Sequence, residues 1–459
     1  MTSTLAQALE QAGGAVNLLR NSRSVPQVVP EVSPEISNWR AEQRAWDQTC
    51  ALFDQSHHMV SISMTGSGVV PLLEIVGAND FSTFGPGKAK QLVACNVNGQ
   101  LIGQGILFPL GHEILLVGPH PIMDWVEYNI QTHPDLDIRY SREGTSLTRP
   151  GNPTRFRFQL QGPNALAVMR AALGTEPPKL GFFNIGEAEI ADRRIGLLRH
   201  GMAAEPGYEF WGDWEDRDAV FDAVVAAGEE HGMEQVGGSA YLTTGSHSAY
   251  IPLIVPAIYS DPEYADYRNW LSDTSFEATA PLGGSFFSTD IADYYVDPFA
   301  LDYGRSVSLT RDFVGRDALQ AMIDSGASTR RKKVTLIWDP EDVIAVYRSF
   351  FDIGTTPGLF MQAPMARVAS LQYDSVLVDG RLVGHSTRPD FSAIHRRILS
   401  PAIVDAEAGE PGSTVTVVWG EDPMSDKLRV DEHRQFEIRA VVAPAPMGDF
   451  ARAAYKANA

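Results

Sequence analysis

The sequence predicts an α+β fold, and three observations carry that reading. Some segments repeat large apolar residues at helical steps, others alternate apolar and polar residues, and the two kinds succeed one another without the strand-helix-strand rhythm of a doubly wound sheet. At 459 residues, 44% hydrophobic and 20% charged, the chain is long enough for two or three packed domains.

Residues 4–12 read as an amphipathic helix ended by Gly13-Gly14, after which Pro26, Pro30 and Pro34 keep the chain extended. In WRAEQRAWDQTCALFD, residues 39–54, Trp39, Trp46, Cys50 and Phe53 recur at seven- and four-residue steps. That pattern predicts a helix delivering Gln55-Ser56-His57-His58 just past its end. MVSISM, residues 59–64, sets Val60, Ile62 and Met64 against serines, as a half-buried strand does. QLVACNV and QLIGQGILFPL flank Asn98-Gly99, a pair suited to the positive φ angles of a tight turn, and EILLVGP adds a third strand. Helices are expected at 124–131, 163–173 and 215–230, with the strands RFRFQLQ, EAEIADRRIGLLRH and YEFWG between them.

Small residues and a basic run near 325–333 interrupt this pattern, and the segments beyond are mostly strand: KKVTLIWD, RVASLQYDSVLVDGRLVGHS, STVTVVWG and RQFEIRAVVAP. The expected organisation is therefore two interleaved α+β subdomains over 1–325 and a strand-rich unit over 330–459, with the basic run as a solvated linker.

A net charge of −20 disfavours binding to nucleic acid or anionic lipid through a general positive field. Cys50 and Cys95 are too few for a disulfide framework or a structural zinc site and read as small core residues of a cytoplasmic protein. No signal peptide, membrane-spanning run, phosphate-binding loop or dinucleotide fingerprint is present, and His57 and His58 lack further ligands at metal spacing.

Four stretches, in order, carry a family resemblance: ALFDQSHHM at 51–59, HGMAAEPGYEFWG at 200–212, DYYVDPFALDYGRSVSLTRDFVGRDAL at 293–319, and VLVDGRLVGHST with GSTVTVVWG at 376–387 and 412–420. Together they resemble the glycine-cleavage T-protein family, and within it the vanillate and syringate O-demethylases. The resemblance implies a folate-binding region over 1–325 and a C-terminal β-barrel domain over 330–459. It also implies methyl transfer from a methoxylated aromatic acid to tetrahydrofolate, giving a phenol and 5-methyltetrahydrofolate. The alternatives are an aminomethyl- or sarcosine-type folate enzyme and a folate-binding protein without turnover.

By the same resemblance, Glu209 would bind the pterin, Val117, Phe183 and Tyr250 would pack on folate, and Gln55 and His58 would contact the substrate. Tyr241 and His58 would stand at the reacting centre, where a phenoxide must leave and a hydrogen-bond donor helps it to do so. Tyr241 ranks above His58 as that donor, because its pKa lies near that of the departing phenoxide. Two departures stand out. Gly103 and Gln104 occupy the place where the T-proteins carry an acid, which counts against aminomethyl chemistry. Val29 and Pro119 replace the Tyr and Arg that hold the substrate carboxylate in vanillate-type enzymes, leaving His120 or His58 as its expected neighbour, or a different methoxyaromatic such as an ortho-methoxybenzoate of the dicamba kind.

Overall fold

Two sheets and a barrel organise the molecule. The computed structural model describes residues 3–25, 28–202, 205–448 and 452; Pro26 of the extended segment and Ala203 and Ala204 of the 200–212 stretch lie outside them. The first sheet has six strands in the order Met233–Val236, Cys50–Asp54, Arg155–Gln161, Gly207–Asp213, Arg193–Arg199, Ile185–Ile190. The second has five, in the order Lys90–Cys95, Leu101–Leu110, Glu113–Gly118, Val60–Thr65, Arg139–Glu143.

Each sheet buries one face under helices. Phe156, Phe158, Leu160 and Phe210 of the first pack with Ala165 and Val168 of the helix Ala165–Leu173 and with Val220 and Val224 of Arg217–Gly228. Ile62, Met64, Leu107 and Leu116 of the second pack against the helices Leu5–Ala12, Val69–Val76 and His120–Thr132. A smaller apolar cluster joins the two sheets through Phe108, Val117, Leu198 and Trp211, the rings of Phe108 and Trp211 meeting edge-on with centroids 5.3 Å apart.

The C-terminal region holds a closed barrel. Arg331–Trp338 pairs with Phe436–Ala443 on one side and with Arg397–Asp405 on the other, closing a ring of six strands that leaves no free edge. Its core, with Trp338, Val376, Val417 and Trp419, is drawn entirely from residues after 330. Leu371 and Tyr373, by contrast, join the core beneath the five-stranded sheet, so the two regions share packing. A buried cluster also ties them: Lys427 lies 2.8 Å from Glu421 and donates to the carbonyl of Arg20.

The sequence reading is corrected at three places. The helix expected over 39–54 spans only Trp39–Gln48, and Cys50–Asp54 is an interior strand, paired in parallel with Met233–Val236 and antiparallel with Arg155–Gln161. Cys50, spaced like a member of Trp46's helical face, belongs to the core under the helices Ala165–Leu173 and Arg217–Gly228. Phe53 does reach Trp46, stacking at 5.8 Å, but from the strand. The basic run is not a solvated linker: Arg331 starts a barrel strand, and the half-buried Lys333 pairs with Asp302 at 3.4 Å. The strand-rich C-terminal region also contains the helix Pro340–Ser349, capped by Asp339, whose carboxylate accepts from the amides of Glu341 and Asp342. The Asn98-Gly99 hairpin forms as expected, with Gly99 at φ +75°.

Candidate active site

The six-stranded sheet builds the site by simple alternation, since successive side chains of a strand point to opposite faces. In Arg155–Gln161 the phenylalanines and Leu160 face the helices, and Arg157, Gln159 and Gln161 face the other way. Neighbouring strands continue the polar face in register: Phe53, Gln159, Glu209 and Leu198 form one row across four strands. Gln55, two residues beyond Phe53, emerges at the end of the strand Cys50–Asp54 and is held by a bond from its amide to the carbonyl of Arg157, 2.9 Å.

Tyr241 approaches this face from a short helical turn, Gly238–Tyr241. The turn is fixed by Glu42, which accepts from the amide of Gly237 at 3.0 Å, and by amide bonds from Gly238 and Ser239 to the carbonyls of Ser33 and Pro34. Gly237 is required by proximity: a Cβ there would meet the carbonyl oxygen of Pro34 at 2.6 Å. The Tyr241 ring lies edge-on to His58, centroids 4.7 Å apart, and to Phe53, 5.7 Å apart.

Both candidate donors are neutral. Burial holds His58 down to about 4, with Asp54 opposing the shift. Burial, reinforced by the charge of Glu209, raises the Tyr241 phenol well above its ordinary value, while the Gln55 side chain and Arg157 pull the other way. A phenol kept protonated and an imidazole kept uncharged, side by side, can each present an N–H or O–H to an oxygen that gains negative charge. The adjacent histidines part company. His57 turns toward Ser146, 2.9 Å from its Nδ1, and toward Trp214, while His58 faces Tyr241 with its Nδ1 buried and without a hydrogen-bond partner.

Glu209 is buried on the polar face and paired with Arg157, Nη1 to Oε1 2.7 Å, while the Arg157 guanidinium also covers the Phe108 ring at 4.8 Å. Across the strand pair from Glu209, Gln159 Oε1 is buried without a partner, as are Gln55 Oε1 and His200 Nδ1. Buried polar atoms left unsatisfied are uncommon, and each asks for an explanation. Here several lie around one carboxylate and leave hydrogen-bonding capacity that the protein itself does not use. Val117 and Phe183 belong to the apolar cluster between the sheets, the Phe183 ring 5.2 Å from that of His200. Tyr250 is partly exposed, and its charge state is felt at Tyr241. A cavity of about 160 Å³, lined by Gln55, Ser56, Met59, Val117 and Arg157 among others, lies between the sheets.

The structure thus brings Tyr241, His58, Gln55 and Glu209 together, with Val117, Phe183 and Tyr250 at their margins. His120 has a cluster of its own: its ring stacks on Phe276, centroids 6.3 Å apart, and its Nδ1 faces Arg142, which is engaged by Asp124 and Glu127. As the first residue of the helix His120–Thr132 it is fixed by that cluster. Val29 is buried against Gly238, beside the Tyr241 turn, and Pro119 precedes that same helix. Arg157 and Gln159 carry no signal of their own in the sequence. The alternation of RFRFQLQ shows which of its residues share a face, but only the register with Glu209 shows what that face serves.

The GCVT N-terminal domain model matches residues 9–251. The chain is 40% identical to a syringate O-demethylase of a Sphingobium species, across 99% of this chain and 98% of that protein. It is 26% identical to a sesamin methylene transferase of a Sinomonas species, covering 84% and 83% of the two chains. An aminomethyltransferase of Lysinibacillus sphaericus is 24% identical over 66% of this chain. Among solved structures, the glycine cleavage aminomethyltransferase T of Bartonella henselae superposes with a TM-score of 0.59 at 16% identity, covering 97% of this chain and 98% of that one.

Proposed function

Because the chain belongs to the family of the GCVT N-terminal domain, we propose that it is a tetrahydrofolate-dependent O-demethylase of methoxylated aromatic acids. The observation that carries this reading is the buried group in which neutral Tyr241 and neutral His58 meet over a polar sheet face that holds Glu209. The similarity to the syringate O-demethylase over nearly the whole chain supports it. In the reaction, the bond between the methyl carbon and the ether oxygen breaks, a bond from that carbon to the folate nitrogen forms, and a proton passes from that nitrogen to the phenoxide.

When bound, tetrahydrofolate supplies the nucleophilic nitrogen. Glu209 and Gln159 supply adjacent oxygen acceptors for the amino and ring N–H groups of a reduced pterin, one carboxylate oxygen of Glu209 being fixed by Arg157. Val117 and Phe183 contribute apolar surface for its ring and exclude water. Tyr241 donates to the ether oxygen as its charge grows. Burial raises its pKa, and a phenoxide forming in the same enclosed place is raised likewise, so the two stay matched for sharing a proton. His58 orients the substrate ring beside it.

Two observations disfavour an amine donor. At Gly103 a Cβ would stand 2.9 Å from the backbone nitrogen of Ile122, which leaves no space for an acidic side chain. Gln104 is buried and committed to Gln91 and to the carbonyl of Ile251. We also propose a division of the chain into regions 1–325 and 330–459, supported by the barrel's self-contained core, and a cytoplasmic location, supported by two free buried cysteines and by the absence, among the described residues, of a helix long and apolar enough to cross a membrane.

Incubation with tetrahydrofolate and methoxybenzoates carrying an isotopically labelled O-methyl group tests the function. The label should appear in 5-methyltetrahydrofolate, with one phenol formed per methyl transferred. Turnover with S-adenosylmethionine alone, or label recovered as a formaldehyde-level folate, would overturn it.

A further inference from the structure

The positions expected to clamp the substrate's carboxylate hold Val29 and Pro119, and neither can form a charge-assisted bond. A different cation stands at the site. Arg388, from the segment between the barrel strands Arg381–Ser386 and Asp390–Ser392, is buried and donates from Nη2 to the carbonyl of Leu242, 2.9 Å, the residue after Tyr241. Arg367 reaches the same carbonyl at 3.3 Å.

The two arginines differ in their partners. Arg367 takes both oxygens of Asp390, at 2.7 and 3.0 Å, and the hydroxyl of Ser246 occupies that carboxylate further. Arg388 has no carboxylate among its hydrogen-bond partners, and its Nε is buried without any partner. Two buried guanidinium groups therefore share one carboxylate, which leaves a surplus positive charge where desolvation makes it costly. Besides Arg367 and Asp390, the groups that act on its charge are the phenols Tyr250 and Tyr241. Burial and the neighbouring Arg367 together pull the Arg388 guanidinium down to about 9, as expected of a cation short of a counter-ion.

The backbone is arranged for this placement. Arg388 has φ +49°, a left-handed conformation that costs a non-glycine residue energy. Gly245 makes space for the guanidinium, since a Cβ there would stand 2.9 Å from Arg388 Nε.

We propose that Arg388 binds the carboxylate of the methoxybenzoate substrate beside Tyr241. The inference rests on the proposed demethylase function and names the group that selects for an acid. A benzoate carries its carboxylate one ring away from the ether oxygen, and Arg388 is bonded to the carbonyl of Leu242, the residue that follows the tyrosine assigned to that oxygen. The glutamate carboxylates of a folate are separated from its reacting nitrogen by a whole aminobenzoyl group, so they fit this place less well. It follows that the barrel closes the site and contributes to specificity.

The test uses the full-length protein and two calorimetric titrations: tetrahydrofolate, and a methoxybenzoate compared with its uncharged methyl ester. Arg388→Gln should weaken the acid by about ten- to a hundredfold, the range for a hydrogen-bonded charge, while changing ester and tetrahydrofolate affinities by less than about threefold. Arg388→Lys, which keeps the charge but loses the guanidinium fork, should weaken the acid in the same selective way and by less. Thermal melts of both variants establish that they fold. Should Arg388→Gln prove unfolded, Arg388→Lys carries the comparison by itself. Equal losses for acid and ester, or a loss falling on tetrahydrofolate, would overturn the assignment. If the parent protein demethylates methoxybenzoates and Arg388→Gln binds the acid normally, this inference alone fails. If the parent binds no methoxybenzoate, the functional reading fails with it.

Discussion

The two faces of the six-stranded sheet are made by the same strands and behave in opposite ways. On one, Phe156, Phe158, Leu160 and Phe210 fill a core closed by two helices. On the other, residues alternating with these supply Arg157, Gln159 and Glu209, with buried polar atoms that the protein leaves unsatisfied. The first face is finished by folding. The second keeps hydrogen-bonding capacity in reserve, as a binding site must, and carries the desolvation cost of doing so.

Substitutions on the two faces should therefore separate stability from ligand binding. Glu209→Ala leaves the Arg157 guanidinium buried without its carboxylate and should cost about 3–5 kcal/mol of stability in chemical denaturation. It should also weaken tetrahydrofolate by more than about 1.5 kcal/mol, read by calorimetry on folded protein. Phe158→Ala on the helix-facing side should cost a comparable 3–5 kcal/mol through the cavity it leaves, with folate affinity per folded molecule unchanged. If Phe158→Ala damaged folate affinity as much as Glu209→Ala, the division between the faces would collapse.

A smaller effect concerns pH. In the native protein His58 takes up its proton only near pH 4, whereas in the unfolded chain it does so near 6.5. Between these values the unfolded state binds the extra proton, so this residue's contribution to stability falls as the solution is acidified. Compared with the parent, His58→Gln should gain relative stability on going from pH 7 to pH 4, by about 1–3 kcal/mol. Parallel stability curves for the two proteins across that range would show that His58 is not held neutral.

The same contrast explains what the sequence reveals. Alternation in RFRFQLQ and YEFWG assigns side chains to faces by itself, and the Asn98-Gly99 turn sets its hairpin, because both depend on neighbours in the chain. The end of the helix at Gln48 was not legible, since Cys50 and Phe53 continue the apolar spacing of Trp39 and Trp46. What converts them to a strand is pairing with partners more than a hundred residues distant. Tyr241, His58 and Glu209 are candidates through family resemblance alone, since no local pattern singles them out. Position beside Pro119 is all the sequence offers for His120, and its contact with Arg142, itself engaged by Asp124 and Glu127, needs the fold to be seen. Arg388 could not be seen at all: its meaning depends on the carbonyl of Leu242, 146 residues away, and on Arg367 having taken Asp390.

The most direct test of the account is single-turnover methyl transfer by Tyr241→Phe with tetrahydrofolate and a methoxybenzoate both saturating. The substitution removes a hydroxyl and keeps the ring that packs on Phe53 and His58, so the fold and both affinities should be little changed. The chemical step should slow by about 100- to 10,000-fold, the range for a positioned general acid, and His58→Gln, which retains a donor, should lose less. A Tyr241→Phe enzyme that reacts at the parental rate while His58→Gln is nearly inactive would contradict the assignment of the donor.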